Sequence, residues 1–216
     1  MTTGDVLLFE DFGRYPDGPP PETWWVEGGE EVRVEEGRLR VRSDPPPDAT
    51  CGHVCTVWHR ESFSGDLRVD FDAHVIASSV EANNINFFLF YADPAGTPLF
   101  ETRRARRSAA YDLYHNLNGY IFTFLNDTEN RSGKARFRMR RCPGFRLVDE
   151  AYDYHCRAGR TYHVSVTRTG GRLTCAVDGQ TYLSWTDPDP LPGGLIGLRT
   201  FRTDLWWNRI RVTRID

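Results

Sequence analysis

The chain has 216 residues, a formal net charge of −3 and a sequence pI near 6.1, a balance that argues against a nucleic-acid partner. It contains no apolar run of about 18 residues, and its N-terminus lacks a basic segment followed by an apolar core. We therefore expect no membrane span, no membrane partner and no signal peptide, and a cytoplasmic location.

Alternation of apolar and polar residues with a period of two recurs along the chain and predicts short β-strands. Residues 32–41 are predicted to form two strands around a turn at Glu36 and Gly37. In residues 67–75 every second residue is apolar, which predicts a half-buried antiparallel strand. Roughly a dozen strands are expected. They include 162–167, 172–177 and 206–215, with hairpin turns at Gly170-Gly171 and Asp178-Gly179 and a longer break at 188–194.

Residues 84–91 differ from these strands because they are apolar on both faces after Asn84 and Asn86. This composition predicts a central strand that is covered on both sides. The proline-rich segments 19–21 and 45–47 are predicted to be loops between strands. Together these patterns predict a single all-β domain over residues 1–216, a jelly-roll sandwich of two antiparallel sheets.

Residues 111–144 are rich in Tyr, Asn and Arg and are predicted to form two strands joined by a polar turn. A sheet face with so many hydrogen-bonding rings and guanidinium groups indicates a surface that holds a polar ligand, and sugar is the leading candidate. The alternative is that the arginines are the ordinary solvent side of an alternating strand. In that strand Arg136, Arg138 and Arg140 alternate with Ala135, Phe137 and Met139.

Six blocks of sequence carry a family resemblance: LFEDF at 8–12, VWHRESFSGDLRVDFD at 57–72, NNINFFLFYADP at 83–94, YDLYHNLNGY at 111–120, RFRMRRCPGFRLV at 136–148 and GGLIGLRTFRTDLWWNRIRV at 193–212. The chain resembles the YesU-like domain-of-unknown-function family within the concanavalin A-like lectin and glucanase superfamily, found among bacterial carbohydrate-utilisation genes. The resemblance implies a concanavalin A-like sandwich and places Arg199 near the ligand site.

A polysaccharide lyase needs a group that neutralises the sugar carboxylate, a base for the proton beside it, and an acid for the leaving oxygen. Every required residue type is present in the 111–144 region. The candidates are Arg138 and Arg140 for the carboxylate, His115 or Tyr114 as the base, and Tyr111 or Tyr120 as the acid. A neighbouring guanidinium could stabilise a tyrosine phenolate in this role. A two-carboxylate hydrolase is disfavoured, because no Glu-x-Asp-x-Glu triplet occurs.

Further side chains could bind the sugar without taking part in proton transfer. Amides can donate to and accept from hydroxyl groups, and an indole can stack on a pyranose ring. The candidates are Asn84, Asn86, Asn118, Arg199 and Trp206. Each also has an ordinary structural explanation, as a strand-entry amide, a surface ion pair or a core ring.

The sequence contains no complete metal site, and no cofactor is expected. Cys51, His53 and Cys55 alternate on an extended segment, which spreads them over about 13 Å and does not suit a tetrahedral zinc site. Buried free thiols are the simpler interpretation of the five cysteines. Structural calcium is a second option, with oxygens from Asp187 and Asp189 or from Asp11 and Asp216.

We therefore expect a protein that acts on an acidic, uronate-containing oligosaccharide or glycoside. Of the 27 basic residues only Lys134 is a lysine, and a guanidinium can grip a carboxylate at two points. An enzyme, lyase-like or hydrolase-like, is slightly favoured over a noncatalytic lectin-like domain. A β-sandwich that binds a protein partner is a third alternative, and it predicts an exposed apolar patch. The sequence does not determine the oligomeric state.

Overall fold

The computed structural model describes residues 4–29, 31–43 and 53–215. These residues form fifteen β-strands and two short 3-10 helices, at Arg103–Arg106 and Tyr111–Tyr114. The strands are β1 (Val6–Glu10), β2 (Trp24–Gly28), β3 (Glu31–Glu35), β4 (Arg38–Arg42), β5 (Val54–Ser64), β6 (Leu67–Ser78), β7 (Ile85–Ala92), β8 (Asn118–Phe124), β9 (Phe137–Cys142), β10 (Arg146–Ala151), β11 (Arg160–Thr169), β12 (Arg172–Val177), β13 (Gln180–Thr186), β14 (Gly193–Phe201) and β15 (Thr203–Arg214).

The strands form two antiparallel sheets that pack face to face, which confirms the predicted all-β sandwich. The eight-stranded sheet has the order β13-β12-β11-β6-β15-β4-β3, and β1 also pairs with β15. The seven-stranded sheet has the order β10-β9-β8-β7-β14-β5-β2. Strand β7 is the fourth of these seven, so the apolar segment 84–91 is central, as predicted.

The core between the sheets follows directly from the period-two alternation. In β6, all of the predicted inward residues from Leu67 to Val75 are fully buried. The ring of Phe71 in β6 lies 5.4 Å from the ring of Phe87 in β7, across the two sheets. In β9, Phe137 and Met139 are also fully buried, so the predicted alternation with Arg138 is confirmed.

The predicted hairpins are also confirmed. The turn at Glu36 and Gly37 joins β3 to β4, and the turn at Gly170-Gly171 joins β11 to β12. Asp178 and Gly179 connect β12 to β13, and both have a positive φ, a conformation that Gly and Asp adopt more readily than bulky residues. The strands are more numerous than the dozen expected, because β1, β2 and β10 pair at positions that alternate weakly.

The prediction of two strands in 111–144 is wrong at its N-terminal end. Residues Tyr111–Tyr114 form a 3-10 helix, and β8 begins only at Asn118. Side chains three residues apart lie on the same side of a 3-10 helix. This spacing directs Tyr111 and Tyr114 together onto the outer face of the seven-stranded sheet, where both contact the Phe88 ring.

Cys55, Cys142, Cys156 and Cys175 are buried free thiols, as expected. Burial raises the pKa of the Cys55 thiol to about 12, so it is unreactive at neutral pH. The predictions for Cys51, for residues 45–47 and for Asp216 concern positions outside the described residues. Within the described ranges, no helix is long and apolar enough to cross a membrane. The single domain over 1–216 stays a prediction.

Candidate functional site

The outer face of the seven-stranded sheet, opposite the core, carries one unbroken row of polar residues. Each strand contributes one residue, and neighbours in the row are paired in register. We call this the polar row: Glu27, Thr56, Arg199, Asn86, Thr123, Arg138 and Glu150. The adjacent aromatic row consists of Trp25, Trp58, Gly197, Phe88, Ile121, Arg140 and Leu147.

The segment 93–117, with its two 3-10 helices, covers the aromatic row from Trp25 to Ile121 and one end of the polar row. At that end the Glu27 carboxylate is 2% exposed and accepts hydrogen bonds from the Tyr114 hydroxyl (2.7 Å) and the Trp58 indole (3.0 Å). It also forms an ion pair of 3.1 Å with Arg106 and accepts from the Trp25 indole. All of these groups are satisfied, so Glu27 holds the covering segment on the sheet.

Arg199 also lies at this covered end, where it forms hydrogen bonds within the protein. Its guanidinium donates to the Thr56 hydroxyl (2.7 Å) and to the carbonyl of Ala109 (3.0 Å). The rings of Tyr111 and Tyr114 lie 4.6 and 5.0 Å from it. Arg199 therefore positions the second 3-10 helix, and the side chain is only 3% exposed.

At the other end of the polar row Asn83 and Arg138 are half-buried, whereas Asn86 and Thr123 are buried. We call Asn83, Asn86, Thr123 and Arg138 the open end. Both Asn86 and Arg138 bond to Asn83: the Asn86 amide donates to its backbone carbonyl (3.2 Å), and Arg138 donates to its side-chain oxygen (3.0 Å). Two buried atoms are left without a partner, the Asn86 Oδ1 acceptor and the Arg138 Nε donor. Burial lowers the pKa of Arg138, but a guanidinium stays charged at neutral pH.

His115 lies beside this open end in a stack of rings. Its imidazole is 3.7 Å from the Phe145 ring and 5.2 Å from the Tyr111 ring. The guanidinium of Arg140 lies 4.1 Å from the centroid of the Phe145 ring and donates a hydrogen bond to the Phe145 carbonyl. Burial lowers the pKa of His115, with Arg140 and Arg199 acting in the same direction against Asp112, and its Nε2 has no partner.

Tyr111 is a neutral phenol and not the phenolate that neighbouring arginines could have stabilised. Burial raises its pKa, and this outweighs the opposing effects of Arg199, Thr123, Arg138 and Arg140. Burial and the Glu27 carboxylate likewise raise the pKa of Tyr114. Tyr114 therefore cannot act as the base, whereas Tyr111 can donate a proton.

We expect the lowered pKa of His115 to appear as a pH dependence of stability. Below about pH 6.5, the ordinary histidine value, the unfolded chain binds a proton that native His115 binds less readily, so stability falls as the pH falls. Melting temperatures recorded across this range should decline less steeply in the variant His115→Gln than in the wild type. An identical slope would contradict the lowered pKa.

The structure brings most of the predicted site residues onto this one outer face. Four others are elsewhere. Tyr120 is 1% exposed on the core side of β8, where its hydroxyl donates to Asp187 at 2.7 Å, because Thr123 and Ile121 occupy the outer face of that strand. Asn118 is the first residue of β8 and pairs with Ala92. The residues that share the face are Asn86, Tyr111, Tyr114, His115, Arg138, Arg140 and Arg199.

Asn84 and Trp206 belong to the other sheet or its edge. The Asn84 amide donates to Thr203 at 3.1 Å and to Ser78, so it ties β7 to the ends of β15 and β6. Trp206 lies in β15 of the eight-stranded sheet, stacked on His74 at 5.2 Å. Neither can contact a ligand at the open end.

The proposed calcium oxygens at Asp187 are already in use. One carboxylate oxygen of Asp187 accepts from Tyr120 and from Arg141 at 2.7 Å, and the other accepts from the backbone of Asp189. Among the described residues, no group of three or more His, Cys, Asp or Glu side chains is arranged to hold a metal.

Two functional residues, Glu27 and Asn83, are missing from the sequence-based candidates. Glu27 is two residues after Trp25, so strand alternation could have placed both on one face. Asn83 precedes Asn84 in an Asn doublet, and no local pattern indicates which of the two amides lies beside Asn86 and Arg138. Only the pairing of β7 with its neighbours decides this.

The acidic residues of the polar row are too far apart for a two-carboxylate hydrolase. Glu27 and Glu150 stand at opposite edges of the sheet, and six inter-strand spacings separate them by about 29 Å along the sheet. Glycosidase carboxyl groups are about 5–9.5 Å apart. This pair therefore cannot cleave a glycosidic bond by that mechanism.

A family model described as "Domain of unknown function (DUF6250)" matches residues 50–213, and the chain therefore belongs to this family. A search of the curated proteins finds no match.

Solved structures share the sandwich fold. A protein of unknown function with a galectin-like fold from Bacillus subtilis is 20% identical with a TM-score of 0.78, covering 99% of this chain and 97% of its own. The carbohydrate binding module CBM66 from Bacillus subtilis is 14% identical with a TM-score of 0.58, covering 88% and 95%. A protein described with endo-acting O-glycanases of the human gut microbiota is 13% identical with a TM-score of 0.68, covering 98% and 100%. These likenesses support the jelly-roll architecture.

Proposed function

We propose that this DUF6250 protein binds an acidic carbohydrate at the open end of the polar row. The observation that carries the proposal is the pair of unpartnered atoms there, the Asn86 acceptor and the Arg138 donor. Buried polar atoms normally have a partner, because leaving one unpaired costs about 1–3 kcal/mol. Both atoms are buried, and the half-buried side chains of Asn83 and Arg138 beside them can offer an amide and a guanidinium to a sugar.

Charge favours an acidic sugar over a neutral one. Arg138 and Arg140 extend from adjacent rows of the same strand, and both are partly buried. A hydrogen bond between a guanidinium and a carboxylate is roughly twice as strong as one between neutral groups. The carbohydrate binding module and the O-glycanase-related protein share this sandwich. That likeness supports a sugar ligand as a proposal for this chain.

A lyase-like reaction is the second candidate, and the state of His115 favours it. Once a substrate reaches the buried Nε2, a neutral imidazole can take the proton from the carbon beside the carboxylate while Arg138 neutralises the charge. The C–H electrons form a C=C bond, the C–O bond to the leaving sugar breaks, and the Tyr111 hydroxyl protonates that oxygen.

A cytoplasmic location and the narrower YesU-like assignment also stay predictions.

A docking surface for a protein partner is less well supported. Such a surface would show one contiguous exposed apolar patch. The exposed large apolar side chains instead lie on four different strands and in one loop. They are Val6, Phe9, Val26, Ile76, Leu147 and Tyr152.

Titration calorimetry with trigalacturonate tests the binding site. The variant Arg138→Gln should bind about ten- to hundredfold more weakly, because it loses a charge-assisted hydrogen bond. Arg172→Gln is the matched control, since Arg172 is exposed on the eight-stranded sheet and should leave affinity unchanged. Equal affinity of the wild type and Arg138→Gln would refute the site.

The same mixture separates turnover from binding. Elimination produces an unsaturated sugar that absorbs in the ultraviolet, and His115→Gln should abolish this absorbance without abolishing binding. Saturable heat with no absorbance in the wild type would assign the protein as a noncatalytic, lectin-like domain.

A further inference from the structure

A cavity lies on the same outer face, beyond the aromatic row, and has a volume of about 300 Å³. Leu195 and Tyr91, which are paired in register, form part of its wall together with Trp25. Along β14 the cavity is about 13 Å from Arg199, at four residues of about 3.3 Å each. The aromatic row and the covering segment separate it from the open end of the polar row.

We infer that this cavity is a second ligand site, for a ring compound that carries a carboxylate. The inference does not rest on the proposed function, because none of the open-end residues lines the cavity. Its volume is at the lower limit of ligand pockets, about 300 Å³, which suits a single ring.

The carboxylate would be recognised by Arg60. The guanidinium of Arg60 lies 4.0 Å from the centroid of the Phe100 ring, and that of Arg103 lies 3.8 Å from the same centroid. Arg103 is partly used, since it donates to the Phe100 carbonyl at 2.6 Å. Among the described residues, the Arg60 guanidinium has no hydrogen-bonding or ion-pairing partner. Stacking fixes its plane and leaves its N–H groups free for an anion.

The remaining lining is suited to the ring itself. The floor is apolar, with Trp25 6% exposed and set edge-on to Phe100 at 5.4 Å. The hydroxyl groups of Ser62 and Thr97 line the same cavity and can bond to polar substituents. One carboxylate, Asp93, is also present, and one of its oxygens accepts from the backbone of Ala95 at 2.8 Å.

The charged residues of the lining are Arg60 and Asp93, and Glu61 and Glu101 adjoin it in the chain. The first 3-10 helix contributes Arg103 and Arg104, and Arg107 follows it directly. Arg104 and Arg107 are exposed and do not line the cavity. A neutral sugar would leave the Arg60 guanidinium without a charged partner, so a carboxylate-bearing ring is the favoured ligand.

The test uses the full chain labelled with ¹⁵N, and follows the assigned indole N–H signal of Trp25. Sodium glucuronate should move this signal saturably, whereas glucose, sodium chloride and sodium sulfate at matched ionic strength should not. Arg60→Gln should weaken the effect about tenfold or more, through the loss of one charge-assisted contact. Arg104→Gln, a matched exposed arginine of the same segment, should leave it unchanged.

Failure of this site and failure of the open-end site are distinguishable. Arg138→Gln should leave the glucuronate response of Trp25 intact, and Arg60→Gln should leave trigalacturonate binding at the open end intact. No response of Trp25 in the wild type, an equal response to glucose or sulfate, or an unaltered response in Arg60→Gln would each overturn the inference.

Discussion

Replacement of Glu27 by alanine is expected to destabilise the protein by about 3–5 kcal/mol, the cost of leaving one member of a buried ion pair alone. The side chain of Arg106 is 6% exposed and would lose the carboxylate 3.1 Å away. Trp25, Trp58 and Tyr114 would each lose a hydrogen-bond acceptor. Urea unfolding at neutral pH measures the change in the free energy of unfolding.

The matched control is Glu22→Ala, because Glu22 is exposed just before the same strand and should change stability by less than about 0.5 kcal/mol. A double variant, Glu27→Met with Arg106→Leu, should recover part of the loss, since no charge is then buried alone. If Glu27→Ala proved as stable as Glu22→Ala, the covering segment would not depend on this carboxylate.

Replacement of Gly197 by valine is the second large effect expected. A Cβ atom at this position would be 2.7 Å from two carbon atoms of the Trp58 indole, which lies across the glycine. Trp58 is fully buried between Trp25, Phe88 and Tyr91, so its ring has no room to move away. Overpacking of a core costs about 1–3 kcal/mol. We expect Gly197→Val to lower the free energy of unfolding more than Gly197→Ala does.

The control for this pair of variants is Gly13→Ala. The nearest atom to a Cβ at Gly13 is 3.6 Å away, an ordinary contact, so the melting temperature should hardly change. Thermal unfolding of Gly197→Ala, Gly197→Val and Gly13→Ala gives the comparison. Equal melting temperatures for Gly13→Ala and Gly197→Val would show that the aromatic row can repack.

Strand positions and faces could be predicted where alternation was regular. β6 buries its odd-numbered residues from Leu67 to Val75, and β9 places Arg138 opposite Phe137 and Met139, as the sequence indicated. The central place of β7 followed from its two apolar faces. Such predictions succeed because side chains in a strand must point to alternate sides.

The site could be predicted only in part, because it depends on pairing and on a non-strand segment. The spacing of Tyr111 and Tyr114 suits one side of a 3-10 helix, and their aromatic character favoured a strand interpretation. Tyr120 and Trp206 lie away from this outer face for different reasons. The alternation of side chains in β8 places Tyr120 on the core side. The position of Trp206 depends on which sheet β15 joins. No local pattern encodes that choice.

The covering segment makes the two ends of the polar row different in exposure to solvent. Exposure decreases along it, from Glu150 at the open edge through partly buried Arg138 to Arg199 and Glu27, which are shut off beneath the two 3-10 helices. From Thr123 to Glu27 every member of the row is buried, so the row is accessible only at its β9–β10 edge. A glycan that binds there as proposed would contact strands β9 and β10 and would not cross the covered strands β5 and β2.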